Sequence, residues 1–234
     1  MNIQTMQPLQ NICIEISKLK EQIITELPHY GHQALYYQND EITTGLMNNT
    51  VEIKVHLSTG QLQWYNNEKN YTVELFTNDI TESINEIAAI FSVKGPEKPL
   101  QNIDYQKIES FRNYAIAGKH VLELFRMRLS DNFTLIHLWP HHFDFSVEWF
   151  TGNGDEQIGT GISPGDQTNT EPYIYMNPSP FNDSILEKKL PIGKWHIDSW
   201  KGVKIEWKDF LKFPPKDAST KLYETYNVVK TNFD

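Results

Sequence analysis

The stretch NFTLIHLWPHHFDFSVEWF (residues 132–150), resumed by GTGISPGDQTNTEPYIYMNPSPF (159–181), decides how this chain is read. Phe133, Leu135 and His137 alternate with Thr134, Ile136 and Leu138. Both faces of that run are mostly apolar, the pattern of a buried strand. Pro140 has no N–H to give a ladder and should end it. Phe143, Phe145, Val147 and Trp149 then alternate with Asp144, Ser146 and Glu148, which describes a half-buried strand with one polar face. Thr151-Gly152-Asn153-Gly154 is a turn composition. Pro164-Gly165 suits the two central positions of a type II turn. Glu171-Pro172-Tyr173-Ile174-Tyr175 opens a further strand.

Upstream, Leu9, Ile12, Ile16, Leu19 and Ile23 recur at helical spacing, and a helix is expected from about Gln7 to Leu27, stopped before Pro28. Cys13 lies by that stripe and reads as a small buried hydrophobe. His29-Tyr30-Gly31-His32 reads as a surface turn. Val51, Ile53 and Val55, then Leu62 and Trp64, then Tyr71, Val73 and Leu75 form an antiparallel meander with one face covered. His56 falls on its polar face. Asp79 is placed to cap a helix carrying Ile80, Ile84, Ile87 and Phe91.

The two prolines between Gly95 and Gln101 mark a sub-boundary in what is otherwise expected to be a single compact domain over residues 1–234. A long helix follows, from about Asp104 to Leu129, with Ile108, Phe111, Ala115, Gly118, Leu122 and Phe125 on one stripe. Downstream, 191–207 reads as a hairpin interrupted at Gly202. Trp207–Leu211 reads as a helical turn, and a last helix is capped by Asp217 or Ser219. Hairpins segregated from helices, without a βαβ rhythm, give an α+β fold. The expected architecture is a largely antiparallel sheet, or two packed sheets, covered by the N-terminal, long central and C-terminal helices.

Several short motifs recur in order: Phe125-Arg126-Met127-Arg128, His137-Leu138-Trp139, Phe143-Asp144, Pro164-Gly165-Asp166, Glu171-Pro172-Tyr173, Trp195-His196 and Tyr223 to Tyr226. Together they resemble an uncharacterised bacterial family, a domain of unknown function. The resemblance covers roughly the second half of the chain; the first half matches only in its rhythm of strands and helices. It implies a shared fold and no particular activity.

The chemistry on offer centres on Arg126. It lies about 40° from Leu122 around the helix, at the edge of the buried stripe. A guanidinium there needs an acidic partner, and Asp144 and Glu171 are the expected ones. With His137, Trp139, Tyr173 and His196 they would line an aromatic-walled pocket for a small polar or anionic molecule. The same groups could instead serve a metal-free acid–base enzyme, or form a buried polar network in a structural or interaction module. His141, His142, Asp144, Glu171 and His196 are the candidates for a His/carboxylate metal centre, but their spacing matches no zinc motif and no metal is expected. No cofactor is expected either. Gly159-Thr160-Gly161 lacks the third glycine of a dinucleotide loop, and no G-x-S-x-G elbow surrounds Ser146 or Ser163.

Composition narrows the class. The chain has 234 residues, 39% hydrophobic and 12% aromatic, with a formal net charge of −9, which disfavours nucleic acid and anionic membranes as partners. One cysteine excludes an internal disulfide. The N-terminus has neither a basic nor an apolar signal region, so a cytoplasmic location is expected.

Overall fold

The computed structural model describes residues 3–66, 69–76, 79–166 and 168–234. Among them the fold is α+β, with two antiparallel sheets of five and six strands. No helix among the described residues is long and apolar enough to cross a membrane. The chain divides into two units. The first holds Ile3–Ala115 and His137–Phe143; the second holds Ile116–Ile136 and Asp144–Asp234. The sequence places a sub-boundary at Gly95–Gln101 within a single domain. That segment belongs to the first unit, where the Leu100 N–H donates to Thr81 Oγ1 (2.9 Å) and the Ile103 N–H to the Leu75 carbonyl (3.2 Å). The division instead falls inside the long helix, where hydrophobic periodicity gives no sign of it.

In the first unit, α1 (Ile3–Ile23) begins earlier and ends earlier than its stripe predicts. The Ile24 N–H still donates to the Lys20 carbonyl, and the helix closes there, before Pro28 is reached. Leu9, Ile12, Cys13, Ile16 and Leu19 are buried as a stripe. Burial also pushes the Cys13 thiol far above its ordinary range. Five strands follow in sequential order: β1 (Tyr36–Gln38), β2 (Glu41–Thr43), β3 (Val51–His56), β4 (Gln61–Asn66) and β5 (Lys69–Glu74). β1 and β2 precede the three strands that the alternation from Val51 predicts.

Ile53 opposes Trp64 and Val55 opposes Leu62, so the alternation buries one face. On the other face His56 lies between Glu41, 2.9 Å from Nδ1, and Gln63, 2.8 Å from Nε2. In α2 (Ile80–Ile90) the Asp79 carboxylate accepts the Thr81 and Glu82 N–H groups, the expected cap.

β6 (His137–Trp139) is shorter than the expected run from Phe133. Leu35 bridges Leu138, while Leu135 is exposed. The turn after it is clamped from α1, whose Gln10 side chain donates to the carbonyls of Pro140 (3.1 Å) and His141 (2.9 Å). Phe143, at φ 57°, leaves the strand geometry and stacks on Phe111 at 4.7 Å.

The second unit carries five strands in the order β10-β11-β9-β8-β7. They are β7 (Asp144–Phe150), β8 (Gln157–Ser163), β9 (Tyr173–Ser179), β10 (Lys194–His196) and β11 (Gly202–Glu206). Phe145, Ile162, Ile174 and Ile205 line up across this sheet, as do Val147, Thr160, Met176 and Val203; all are buried.

Helices meet that apolar face. In α3 (Tyr105–Arg126), a Cβ on Gly118 would stand 3.2 Å from the Ile162 side chain, so glycine permits the close approach. From α5 (Pro215–Lys230), Tyr226 meets Trp149 edge-on at 5.6 Å. The expected Asp217 or Ser219 cap is not used. Pro215 starts the helix, its preset φ and missing N–H suiting the first position. Between sheet and helix, α4 (Trp207–Phe210) is the expected short turn.

Candidate functional site

The opposite face of the second unit's sheet is polar, and much of it is buried. Directly paired residues of antiparallel strands point to the same side. One row therefore runs Lys194, Lys204, Tyr175, Gly161 and Ser146 across the five strands. The next runs His196, Gly202, Asn177, Gly159 and Glu148; a Cβ on Gly202 would lie 2.9 Å from the Asn177 Cα. Tyr173 and Asp144, two residues from Tyr175 and Ser146 along their strands, share this face. Asp144, Ser146, Tyr173 and Lys204 are buried, so this is not a fully solvated sheet surface.

Glycine at the centre makes the arrangement feasible. The Tyr175 ring lies across Gly161, and its hydroxyl donates to Asp144 Oδ2 on the far side of β8. A Cβ at Gly161 would collide with that ring and stand 2.6 Å from the Phe145 carbonyl oxygen. At Gly159 a Cβ would be 2.7 Å from both Asn177 Oδ1 and Glu148 Oε2, so two oxygens from different strands bend over the same glycine. Glu148 Oε1 accepts the Ser146 hydroxyl at 2.7 Å.

Burial pushes the Glu148 carboxyl up to about 7. The Ser146 hydrogen bond opposes this and the nearby Asp144 charge reinforces it. Tyr175 is pushed up by burial and by the charges of Asp144 and Glu148.

The two ends of the face differ in how well they are satisfied. At one end, Tyr173 donates to Asp166 Oδ2 (2.7 Å). Burial alone would raise the Asp166 carboxyl, but bonds from Thr168, Tyr173 and the backbone of Asn169 hold it well below the usual range. Lys204 reaches Asn169 Oδ1, Glu206 (3.2 Å) and the Tyr173 ring. Every one of these groups is paired.

The other end is the row through Gly159. Asn177 Oδ1, His196 Nε2 and Trp200 Nε1 are buried there without a hydrogen-bond partner among the described residues. Trp200, in the β10–β11 connection, lies 4.2 Å from the His196 ring, edge-on to Tyr175 at 6.3 Å and stacked toward Tyr173 at 6.2 Å.

The residues expected to form a site are thus divided. Asp144, Tyr173 and His196 do share this face. Glu171 precedes β9 and is exposed. Arg126 is a correction. Its Nε and Nη2 donate to Glu123 Oε2 at 3.0 and 2.9 Å, and neither Asp144 nor Glu171 partners it among the described residues. Glu123 is one turn back on α3, so pairing with it orders only one helix face. The ring over which Arg126 lies is Phe133.

His137 and Trp139 belong to the first unit. There the buried His137 ring packs on Tyr36 (5.6 Å) and Trp139 (5.3 Å), and burial, with Lys20 nearby, pushes it down to about 4. Lys20 itself, lowered to about 8 by burial, gives its ammonium to the carbonyls of Gly31 (3.0 Å) and Ala34 (2.6 Å). His141 and His142 are exposed in the turn. Among the described residues no three His, Cys, Asp or Glu side chains gather as a metal centre would require.

Sequence reasoning missed Glu148, Tyr175, Asn177, Trp200, Gly159 and Gly161. A signal was available: polar or glycine residues recur at i, i+2 and i+4 in β7, β8 and β9 alike, and one polar face repeated on three consecutive strands marks a shared surface. Comparison with family models, with curated proteins and with solved structures found no match for this chain.

Proposed function

We propose that the second unit binds a small polar molecule on the polar face of its sheet, along the row Glu148, Gly159, Asn177 and His196. The observation that carries this reading is the pair of unpartnered polar atoms on that row, Asn177 Oδ1 and His196 Nε2, joined by Trp200 Nε1 from the ring beside His196, while Tyr173, Asp166 and Lys204 at the neighbouring end are each paired. A buried polar group without a partner costs about 1–3 kcal/mol. A ligand that completed the bonds of Asn177, His196 and Trp200 would recover that cost, and the tyrosine and tryptophan rings supply the apolar contact usual in such sites. Relative to the sequence expectation, the site loses Arg126 and gains Glu148.

The Glu148 carboxyl, raised into the neutral range, favours a second reading of the same face. In it, Glu148 gives or takes a proton from the bound molecule.

The test follows the Trp200 indole N–H by NMR, assigned with Trp200→Phe, against panels of amino acids, amines, sugars and nucleosides at millimolar concentration. At least one class is expected to move that resonance, and Asn177→Ala to abolish the effect. If no class moves it, the reading is refuted. Chemical turnover of a bound compound, lost in Glu148→Gln, would establish the acid–base reading over simple binding.

A further inference from the structure

Glu148 of β7 and Asn177 of β9 flank Gly159 of β8 in one cross-strand row. Glu148 Oε2 and Asn177 Oδ1 each lie 2.7 Å from the position that a Cβ on Gly159 would take. The two oxygens thus fill the space above the glycine and meet there. An amide oxygen only accepts, and so does an ionised carboxylate. Two acceptors so placed repel, and the buried Asn177 Oδ1 has no other donor among the described residues. A proton between them removes both problems, and Glu148 is the member of the pair that can carry one. Its Oε1 is occupied by the Ser146 hydroxyl, which leaves Oε2 to hold the proton.

We infer that Glu148 is a proton switch: in its acid form Oε2–H donates to Asn177 Oδ1 and ties β7 to β9 over Gly159, and ionisation breaks that tie. The surroundings favour the acid form. On β7, Asp144 shares the face, and its charge opposes ionisation of Glu148. On β9, the Tyr175 hydroxyl goes to Asp144. β8 presents only Gln157, Gly159, Gly161 and Ser163 on this side, none of them charged. At the other edge of β7 the neighbour is Thr134, whose Oγ1 accepts the Glu148 N–H at 3.1 Å. Lys204, on β11, is held by Glu206 and Asn169, and His196, on β10, ends the row beyond Gly202. With the carboxyl raised to about 7, the tie is present in mild acid and is lost as pH rises past neutrality. An Asn177 amide turned the other way would give an N–H to Glu148 and hold its carboxyl down, against burial and Asp144. The switch stands apart from the ligand reading; where that reading holds, Asn177 Oδ1 is open to a ligand only after Glu148 has ionised.

NMR of the full chain, without any ligand, provides the test. The Asn177 side-chain carbonyl carbon, assigned by its absence from the Asn177→Leu spectrum, is followed together with the Glu148 carboxyl carbon from mildly acidic to mildly alkaline pH. The two are expected to titrate together. In Glu148→Gln, whose amide donates at every pH, the Asn177 signal should stay level. In Asn177→Leu the Glu148 carboxyl should titrate lower by about one pH unit, a tenfold change in its protonation equilibrium, because the acceptor that favours the acid form is gone. Burial alone predicts the opposite sign, since leucine is less polar than asparagine. Thermal melts establish that both variants are folded; if one is not, the co-titration in the parent chain decides. Three outcomes overturn the switch: an Asn177 carbonyl that stays level while Glu148 titrates, one that still titrates in Glu148→Gln and so follows His196, or a Glu148 carboxyl unmoved or raised in Asn177→Leu. An unmoved Trp200 indole across the ligand panel would refute the ligand reading and leave the switch standing.

Discussion

Replacing Glu148 by glutamine should abolish a specific pH dependence of stability. In the folded chain the Glu148 carboxyl titrates at about 7, against an ordinary value of about 4.5. Between those two values the native state keeps a proton that the unfolded chain has released. Stability contributed by the protonated carboxyl is therefore fully present below pH 4.5 and is lost as pH rises through about 7. At about 1.4 kcal/mol for each pH unit, the interval corresponds to a loss of about 3 kcal/mol, complete just above neutrality. Glutamine is nearly isosteric, can still accept the Ser146 hydroxyl and does not titrate, so its stability should lack this descent.

The assay is urea denaturation at a series of pH values from mildly acidic to mildly alkaline, followed by tryptophan fluorescence. Trp149, Trp195, Trp200 and Trp207 all report on the second unit. Only the difference between wild type and variant is interpreted, since other titrating groups cancel in it. The difference should shift by about 3 kcal/mol in favour of the variant as pH rises. A difference that stays level across this range, or a carboxyl carbon resonance of Glu148 titrating near 4.5, would refute the burial argument and with it the enclosed character of the row.

Three further perturbations address neighbouring parts of the structure. Tyr175→Phe removes the hydroxyl that donates to Asp144 and should destabilise the second unit by about 1–3 kcal/mol in denaturant titrations; no change would mean that the carboxylate is hydrated. Gly161→Ala forces a methyl group against the Phe145 carbonyl and the Tyr175 ring and should cost about 1–3 kcal/mol or more, read as a lowered melting temperature; a neutral effect would contradict the crossing of Tyr175 over β8. Arg126→Met, by contrast, should cost less than about 1 kcal/mol, because its ion pair with Glu123 is local and partly exposed; a loss of several kcal/mol would restore Arg126 to a buried centre.

Local chemistry made much of the fold readable. Asp79 caps α2 because a short carboxylate can reach the free N–H groups of the first turn, a choice made within three residues. The β3 and β4 meander follows from alternation, and the stripes of α1 and α3 follow from helical spacing, since burial of one face imposes a period on the residues that supply it. The acidic composition, single cysteine and turn residues were equally legible in the chain alone.

The candidate site lay beyond such reasoning because its residues meet only through strand register. Glu148, Asn177 and His196 belong to β7, β9 and β10, and alternation by itself marks Glu148 as a residue of a solvated face. Pairing across two glycines buries much of that face and sets the Glu148 and Asn177 oxygens over Gly159. Arg126 shows the converse. Its place at the edge of a buried stripe was evident, but a carboxylate one helical turn away offered a partner at little entropic cost, so the more distant carboxylates were not recruited. The sequence by itself determined most of the strands and helices, β1 and β2 excepted, and which of their faces are apolar. Tertiary structure alone decided which polar faces are buried and which charges meet, because those depend on contacts that no local period encodes.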